Sequence, residues 1–345
     1  MKYQFSYLEE PNAYDDRGLA NGIPLRVHRD GYRETKGALR AQADWNQLVG
    51  PIDRYHGGLG PRYSFMQVTV PECLPERLEV ISYANEFAFL YDDEMEKLID
   101  HDRDPTRSNE MVDSFGVDQR EQPSPSSATA SSSSSSSSTT TTETTASRAN
   151  ALQAQVFQEM LTIDKPRAVT SMKAWSTFLQ LASRSRVRPA QTLAEYLPMR
   201  IIDAGELIWF GTLTFGMGLT IPDEELEVCM KLARPGYAAI SLTNDLFSWK
   251  KERADAELAG VDYVFNAVWV IMQEGDAHGN RRSEAAALAV CEAEIRRYIA
   301  EFDGIVEAAR RQLHLSRDTL AYLEAVRHSH VGNLVWSIYC PRYQV

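Results

Sequence analysis

The feature that most limits the possible folds is the spacing of apolar residues, which recur every three or four positions along most of the chain after residue 70. In the stretch 74–100, for example, Leu78, Ile81, Ala84 and Ala88 follow this spacing. It is typical of amphipathic helices, and sustained period-two alternation, which marks half-buried strands, is rare. The chain has 345 residues and can bury a large core. We therefore predict an all-α protein whose helical core is wide enough to hold a cavity.

Roughly ten helices are expected, with glycine and proline setting their limits. Nine of the expected ranges are 37–49, 74–100, 149–163, 168–184, 193–219, 237–256, 262–273, 282–313 and 317–338. A further helix should start near 220–224 and end at Pro235 and Gly236, because proline lacks the N–H that a helix interior needs. Within 193–219, the glycines should weaken or kink the helix. These glycines are Gly211, Gly216 and Gly218.

The first 70 residues are expected to be irregular apart from the helix at 37–49, since prolines and glycines interrupt each short segment. The densest interruption is Gly57-Gly58-Leu59-Gly60. A phosphate-cradling glycine loop follows a strand and opens a helix, and this stretch does neither. The sequence therefore assigns no ligand to these glycines.

The charge balance argues against a general nucleic-acid binder. Asp and Glu number 48 against 36 Lys and Arg, which gives a formal net charge of -12, and no basic stripe is present. The 4 cysteines lack CxxC spacing, so neither a zinc site nor a disulfide framework is indicated. The chain shows no N-terminal export signal and no apolar run of the roughly 18 residues that a membrane span needs. We expect a cytoplasmic protein without a membrane span.

A row of polar residues stands out in the stretch 237–256. In a helix, Asn244, Ser248 and Glu252 lie four residues apart and share one face. Their amide oxygen, hydroxyl and carboxylate form a hard donor set that suits Mg²⁺, and Lys251 beside them could meet a phosphate. The alternative is the solvated side of an ordinary amphipathic helix.

An acidic cluster closes the helix expected at 74–100. Asp92 and Glu96 share a helix face, and Asp93 is adjacent to Asp92. Like charges this close repel unless a cation bridges them. The cluster is therefore either a solvated helix end or a metal site.

The stretch 122–147 separates the two polar clusters and consists largely of serine and threonine. Such a composition cannot bury enough apolar surface to offset the entropy of ordering, so we predict disorder. It could be a linker between domains. We favour an insert within one domain spanning 1–345, because the two clusters make sense only together.

Together, the two clusters resemble the aspartate-rich and Asn/Ser/Glu motifs of class I terpene synthases. The segment 195–205 resembles the diphosphate-sensing segment of that family, and 340–343 resembles its C-terminal Arg-Tyr pair. Flanking sequence at 70–77, 84–89 and 332–337 is similar to the cyclase halves of fungal bifunctional terpene synthases of the fusicoccadiene and ophiobolin F type. The likeness covers nearly the whole chain outside the Ser/Thr stretch.

The resemblance implies a class I terpenoid synthase helical bundle with a central active-site cavity and three Mg²⁺ ions. The implied metal ligands are Asp92, Asp93, Glu96, Asn244, Ser248 and Glu252. The implied diphosphate contacts are Arg200, Lys251, Arg342 and Tyr343. Catalysis would rest mainly on Asp92, Asn244, Ser248, Glu252 and Arg200.

Two details of this assignment come from the family pattern. Arg200 corresponds to the sensor, which Asp203 would link to a helix break with an effector carbonyl on Ala204 and a kink at Gly205. The aspartate-rich motif departs from the usual pattern in its spacer and its last acid, Glu96. Asp92 is therefore the best supported ligand of that motif, whereas Asp93 and Glu96 could instead orient waters on the ions.

The implied activity is ionisation of a linear all-trans polyprenyl diphosphate, followed by cyclisation of the carbocation and release of diphosphate. Aromatic rings would stabilise the cation. Phe89 precedes Asp92 by about one helical turn, and Phe65 and Trp336 follow from family position, although ordinary core packing would explain all three. No residue stands out as the terminal base.

Several alternatives remain open at the level of sequence. We favour geranylgeranyl diphosphate (C20) as substrate, with geranylfarnesyl diphosphate (C25), giving a sesterterpene, as the alternative. A chain-elongating prenyl synthase would normally carry a second aspartate-rich motif, and a non-catalytic isoprenoid-binding protein would not need intact metal ligands. In its native form the chain could continue into a prenyltransferase domain, and it could form a homo-oligomer.

Overall fold

Helices dominate the computed structural model, which describes residues 3–52, 55–101, 145–185, 189–275, 280–312 and 314–344. The description covers the backbone alone at 92, 94–101, 145–147, 182–185 and 312. The α-helices in these ranges are α1 (Gly31–Leu48), α2 (Phe65–Thr69), α3 (Pro75–His101), α4 (Thr145–Ile163), α5 (Lys165–Ser185), α6 (Leu193–Asp203), α7 (Glu206–Met217), α8 (Asp223–Leu258), α9 (Ala267–Glu274), α10 (Glu284–Gln312) and α11 (Arg317–Tyr339). The all-α prediction is confirmed.

The longest helix, α8, has 36 residues and packs against both α10 and α11. Elsewhere, α1 packs on α3, and α5 packs on α7. Along α8, the apolar side chains of Leu242, Leu246 and Trp249 are buried, as helical spacing requires of a helix with neighbours on several sides. The four cysteines are buried and form no disulfide. Among the described residues, no helix combines the length and apolar character needed to cross a bilayer.

The predicted helix end at Pro235 and Gly236 is wrong, because α8 continues through both residues. Proline removes one backbone hydrogen bond, and tertiary packing on α8 outweighs that loss. Gly236 has a packing role instead. A Cβ at this position would lie 2.6 Å from a ring carbon of Phe302 on α10 and 2.9 Å from a methyl of Val326 on α11. The glycine therefore allows two neighbouring helices to approach α8 closely.

The single helix expected at 193–219 is two helices, α6 and α7, which meet at Ala204 and Gly205. Gly205 has a φ of 85°, a left-handed conformation that favours glycine. Gly211 and Gly216 lie inside α7, so the helix does not end at either of them, whereas Gly218 follows its last residue in a left-handed conformation. The break falls where the family pattern placed it.

The N-terminal region contains more regular structure than predicted. Strand β1 (Ser6–Leu8) pairs antiparallel with β2 (Arg26–His28), and α1 begins at Gly31, not near 37. Position 37 lies inside α1, and α3 passes so close to it that a Cβ there would clash with the carbonyl oxygen of Glu79. Gly37 therefore allows the two helices to pack closely and does not mark the start of α1.

The Ser/Thr-rich stretch predicted at 122–147 lies outside the described residues up to 144. Its last three positions, 145–147, are the first residues of α4, so the disorder predicted for these three positions is not observed. Helix formation there is compatible with the alanine-containing sequence that follows the threonine run.

Glu34 on α1 is a buried carboxyl group with a structural role. It is 1% exposed and accepts hydrogen bonds from the backbone N–H groups of Met66 (2.7 Å) and Gln67 (2.5 Å) in the first turn of α2. Burial raises the pKa of Glu34 to about 8, and these two N–H donors oppose the rise. The folded state therefore keeps a proton that the unfolded chain loses near pH 4.5, and stability falls as pH rises between these values.

The variant Glu34→Gln cannot ionise, so we expect its stability relative to wild type to increase as pH rises from about 5 to about 8. The gain should reach at most about 1.4 kcal/mol per pH unit. Urea unfolding followed by circular dichroism at several pH values measures it. Glu76→Gln, at an exposed position on α3, is the control. A difference between Glu34→Gln and wild type that does not change with pH would contradict the prediction.

Candidate active site

The predicted polar row lies on one face of α8. Ser248 is 3% exposed, and Glu252 is half-buried. The side-chain amide of Asn266 contacts both, at 3.5 Å from Ser248 Oγ and 2.9 Å from Glu252 Oε2. These two oxygens therefore converge on one small volume. Sequence reasoning missed Asn266, which also caps α9 by accepting a hydrogen bond from the backbone N–H of Val268 (2.8 Å).

Arg200 on α6 joins the row through a guanidinium that is engaged on three sides. Its Nη2 donates to Asn244 Oδ1 (2.7 Å) and its Nη1 donates to Asp203 Oδ2 (2.6 Å). Its Nε donates to Asp245 Oδ1 (2.8 Å). Burial disfavours the charged guanidinium, but the neighbouring carboxylates outweigh burial and hold the pKa of Arg200 above its ordinary value. Arg200 is therefore a fixed cation between α6 and α8.

Asp245 is the second residue that sequence reasoning missed. It is fully buried and accepts hydrogen bonds from the hydroxyl of Tyr196 (2.7 Å) and the backbone N–H of Ala267 (2.9 Å) in addition to Arg200. Burial raises the pKa of Asp245 above its ordinary value, whereas the charge of Arg200 lowers it. A guanidinium, a hydroxyl and a backbone N–H all donate to its oxygens, as an ionised carboxylate requires. Asp245 thereby fixes the position of Arg200. Its place next to Asn244 was the available signal.

The C-terminal 3₁₀ turn, Pro341–Tyr343, connects the two predicted motifs. The guanidinium of Arg342 forms a bidentate ion pair with Asp93 on α3, at 3.0 and 2.6 Å. One residue later, the hydroxyl oxygen of Tyr343 accepts a hydrogen bond from Asn244 Nδ2 (2.7 Å). Asp93 of the acidic cluster and Asn244 of the α8 row therefore contact the same turn.

Three predicted site residues, Asp92, Glu96 and Lys251, are not shown at the cavity. The side chains of Asp92 and Glu96 lie outside the described residues, although the backbone of both belongs to α3. Lys251 Nζ lies 3.0 Å from Asp255 Oδ2, one turn further along α8. Lys251 is absent from the cavity wall formed by the described residues.

A cavity of about 380 Å³ lies between these helices. Arg200, Asp203, Ala204 and Asn244 contribute to its wall. Such a combination of a few charged groups with a mainly apolar wall is typical of a small-molecule site. The predicted sensor, linker and effector residues therefore all border this one cavity.

Four aromatic rings form a connected cluster in the cavity wall. The centroid of Phe65 lies 5.6 Å from that of Phe89, 5.7 Å from that of Trp209 and 4.8 Å from that of Trp336. Phe89 and Trp336 stack with an interplanar angle of 10°. The structure thus brings together the three predicted aromatics and adds Trp209, which the sequence did not single out.

The donor set fits a hard divalent cation. The described candidate ligands on α3 and α8 offer oxygen atoms alone, which Mg²⁺ prefers. Asp93, Asn244 and Glu252 each accept a hydrogen bond from an N–H group at present. An amide or carboxylate oxygen has more than one lone pair and can bind a cation in addition to, or in place of, that donor.

Comparisons with known proteins identify the family of the chain. Residues 83–301 match the family model of terpene synthase family 2, C-terminal metal binding. Three similar proteins are fusicoccadiene synthase of Phomopsis amygdali (41% identical, over 99% of this chain and 45% of that protein), a bifunctional type I diterpene synthase of Aspergillus flavipes (42%, over 99% and 42%) and a bifunctional sesterterpene synthase of Aspergillus aculeatus (39%, over 99% and 45%). The chain spans less than half the length of these relatives.

The fold matches solved structures of low sequence identity. Wild-type cucumene synthase aligns over 92% of this chain and 98% of its own, with a TM-score of 0.65 and 15% identity. This likeness confirms the predicted class I terpenoid synthase bundle. The family prediction made from the four motifs is confirmed as well, since the matched region covers well over half of the sequence. The chain belongs to terpene synthase family 2.

Proposed function

We propose that this chain is a Mg²⁺-dependent class I terpene cyclase that ionises a linear all-trans polyprenyl diphosphate and cyclises the resulting carbocation. One observation carries the proposal. A single C-terminal turn contacts Asp93 through Arg342 and Asn244 through Tyr343, next to a cavity walled by aromatic rings. Two oxygen-rich motifs, two guanidinium groups and an apolar cavity are the parts that diphosphate ionisation followed by cyclisation requires.

The metal site is proposed as Asp92, Asp93, Glu96, Asn244, Ser248 and Glu252, with three Mg²⁺ ions. When bound, these ions supply Lewis acidity that stabilises the diphosphate as a leaving group. The family model is itself described as metal binding, which supports a divalent cation. The convergence of Ser248 and Glu252 oxygens on the Asn266 amide supports the α8 half of the site.

The cationic side chains of the chain would hold the diphosphate. Arg200 and Arg342 present planar guanidinium groups, which match phosphate oxygens in a bidentate way. The hydroxyl of Tyr343 accepts from Asn244 and retains its own hydrogen for donation to a phosphate oxygen. Lys251 remains a proposed contact. Because Asp203 and Asp245 fix Arg200 in place, this cation needs little reorganisation when the leaving group departs.

After ionisation, the cavity wall must exclude water and stabilise the cation. Phe65, Phe89, Trp209 and Trp336 present their rings at the cavity, and each cation–π contact contributes roughly 0.5–2 kcal/mol. The kink at Ala204 and Gly205 places the end of one helix and the start of another at the same wall. We propose the backbone carbonyl of Ala204 as the effector group near the ionising carbon.

Geranylgeranyl diphosphate (C20) is the favoured substrate, and geranylfarnesyl diphosphate (C25) is the alternative. One relative is named as a diterpene synthase and another as a sesterterpene synthase, so the similarity supports both lengths. Two of these relatives are bifunctional and more than twice as long as the region matched. We therefore propose that the natural protein carries a second, prenyltransferase domain.

Incubation with C15, C20, C25 and C30 all-trans diphosphates and Mg²⁺ tests the proposal. We expect cyclic hydrocarbon from the C20 substrate, released with stoichiometric diphosphate and abolished by EDTA. Gas chromatography with mass detection identifies the products. Cyclic product from the C25 substrate alone would favour the alternative length. Absence of hydrocarbon with all four substrates would leave only a non-catalytic isoprenoid-binding role.

A further inference from the structure

The glycine stretch that the sequence left without a function lies against the cavity aromatics. We define residues 55–60 as the glycine loop. The carbonyl oxygen of Gly58 accepts two hydrogen bonds, one from the backbone N–H of Phe65 (2.8 Å) and one from the indole Nε1–H of Trp336 (2.9 Å). Trp336 is 1% exposed, so this bond fixes the ring in a dry environment. One peptide carbonyl therefore sets the positions of two aromatic groups in the cavity wall.

The same loop also contacts the C-terminal turn. The carbonyl oxygen of His56 accepts a hydrogen bond from Arg342 Nη1 (3.1 Å), the nitrogen that also donates to Asp93. The guanidinium lies 5.2 Å from the centre of the Phe89 ring. A displacement of the glycine loop would therefore move both the proposed diphosphate ligand Arg342 and the aromatic cluster.

The glycine loop is held in turn by Glu86 on α3. This carboxylate is 1% exposed, and its Oε2 accepts a hydrogen bond from the backbone N–H of Gly58 (2.9 Å). Its Oε1 accepts from the side-chain amide of Gln42 on α1 (2.6 Å). Glu86 therefore ties the loop to two helices of the scaffold.

The contact between Glu86 and the loop explains why position 57 is a glycine. A Cβ on Gly57 would lie 2.2 Å from Glu86 Oε1 and 2.4 Å from the hydroxyl oxygen of Tyr55. A side chain fits there only if the loop moves away or if the Glu86 and Tyr55 side chains are displaced, and either change disturbs the contact between Glu86 and the loop. The sequence Gly57-Gly58 is thus matched to a carboxylate that packs directly against the backbone.

We propose that Glu86 is a positioning residue, which acts through the glycine loop to hold Phe65, Trp336 and Arg342 in the geometry that cyclisation requires. This inference rests on the proposed function. Glu86 holds the loop through Gly58 and also interacts electrostatically with Arg342. Glu86→Gln removes the charge but keeps an acceptor for Gly58, so it separates placement of the loop from this electrostatic effect. Since a misplacement of about 1 Å can reduce turnover by about 100-fold, even a small shift of the loop changes how the carbocation folds.

The test compares Glu86→Ala with Glu86→Gln, using the C20 substrate and Mg²⁺. In Glu86→Ala the Gly58 N–H loses its acceptor, and we expect kcat to fall about 10- to 100-fold with a new distribution of products. In Glu86→Gln the amide oxygen can accept from Gly58, and the amide N–H can donate to a flipped Gln42 amide. This variant should therefore recover most of the wild-type product ratio.

Gly57→Ala provides an independent arm, in which the carboxylate stays and the added methyl pushes the loop away. We expect the same change of product ratio as in Glu86→Ala. Gly50→Ala is the matched control, because a Cβ at Gly50 meets no atom within 4 Å. Glu76→Ala, at an exposed position on α3, controls for loss of a carboxylate.

A readout without activity separates this inference from the proposed function. The chain has 6 tryptophans, so 5-fluorotryptophan labelling gives a simple fluorine NMR spectrum in which Trp336→Phe identifies the Trp336 resonance. That resonance should move in Glu86→Ala and Gly57→Ala, and stay in both controls. If it stays in all four variants, or if kcat and product ratio are unchanged in folded Glu86→Ala and Gly57→Ala, the inference is wrong. If wild type makes no product but the resonance moves, the proposed function fails while the positioning by Glu86 stands.

Discussion

Replacement of Arg200 by methionine should reduce the free energy of unfolding by about 3–5 kcal/mol, because it leaves a fully buried carboxylate without its counter-ion. Asp245 would retain only the hydroxyl of Tyr196 and the N–H of Ala267 as donors. The same change would remove a proposed diphosphate ligand, so turnover should be lost as well. Urea unfolding followed by circular dichroism, together with product formation from the C20 substrate, measures both effects.

The control is Arg297→Met on α10, where the guanidinium is half exposed and pairs with Glu294 and Glu301. A surface ion pair contributes at most about 1 kcal/mol, so its loss should be small. The double variant Arg200→Met with Asp245→Asn should regain part of the lost stability, since a neutral amide needs no counter-ion. Equal destabilisation by Arg200→Met and Arg297→Met would show that the Arg200–Asp245 pair does not hold α6 against α8.

Substitution of Asn244 by alanine should reduce turnover by about 100-fold or more while the fold remains intact. Loss of groups that only support a metal ligand already costs 10- to 100-fold, and Asn244 is proposed to be a ligand itself. Its hydrogen bond with Tyr343 contributes about 0.5–1.5 kcal/mol and its bond with the charged Arg200 about 1.5–3 kcal/mol, losses that leave a domain of this size folded. The rate of hydrocarbon formation as a function of Mg²⁺ concentration tests this.

Asp92→Ala should behave in the same way, because it removes the proposed ligand from the opposite motif. Lys250→Ala is the matched control for Asn244→Ala, since Lys250 lies on α8 with an exposed side chain. The expected pattern is a cooperative thermal transition in all three variants, lowered by several degrees at most in Asn244→Ala and Asp92→Ala, with activity in Lys250→Ala alone. Near-normal turnover in both Asn244→Ala and Asp92→Ala would mean that the metal site lies elsewhere.

The sequence predicted the helices well where apolar periodicity was strong. The range 74–100 differs from α3 (Pro75–His101) by one residue at each end. The wrong helix limits lie at glycine and proline residues. These residues often end helices, but their effect here depends on the neighbouring helices, which the sequence does not show. Gly37 and Gly236 permit close approach of neighbouring helices. Pro235 lies inside α8, where packing against α10 and α11 outweighs the lost backbone hydrogen bond. No local pattern distinguishes such a packing glycine from one that ends a helix.

Spacing alone places Asn244, Ser248 and Glu252 on one helix face, since residues four apart share a face wherever the helix lies. The resemblance to the family then makes them proposed metal ligands. Neither spacing nor resemblance predicts the hydrogen-bond partners of the site residues. Asp245 receives donors from Tyr196, 49 residues away in the chain, and Glu252 receives the amide of Asn266, 14 residues away. Glu86 meets Gly58 across 28 residues. These contacts depend on how helices pack, which periodicity alone does not specify.

The continuity of α8 has a mechanical consequence. At about 1.5 Å per residue, its 36 residues form a rod of about 54 Å, and near its first turn Glu225 accepts the backbone N–H of Ser316 (2.9 Å) at the start of α11. Asn244, Ser248 and Glu252 are therefore spaced by a rigid element anchored far from the cavity. If the site closes around a diphosphate, we therefore expect the movement on the opposite side of the site, which is formed by the end of α3 and the short C-terminal turn.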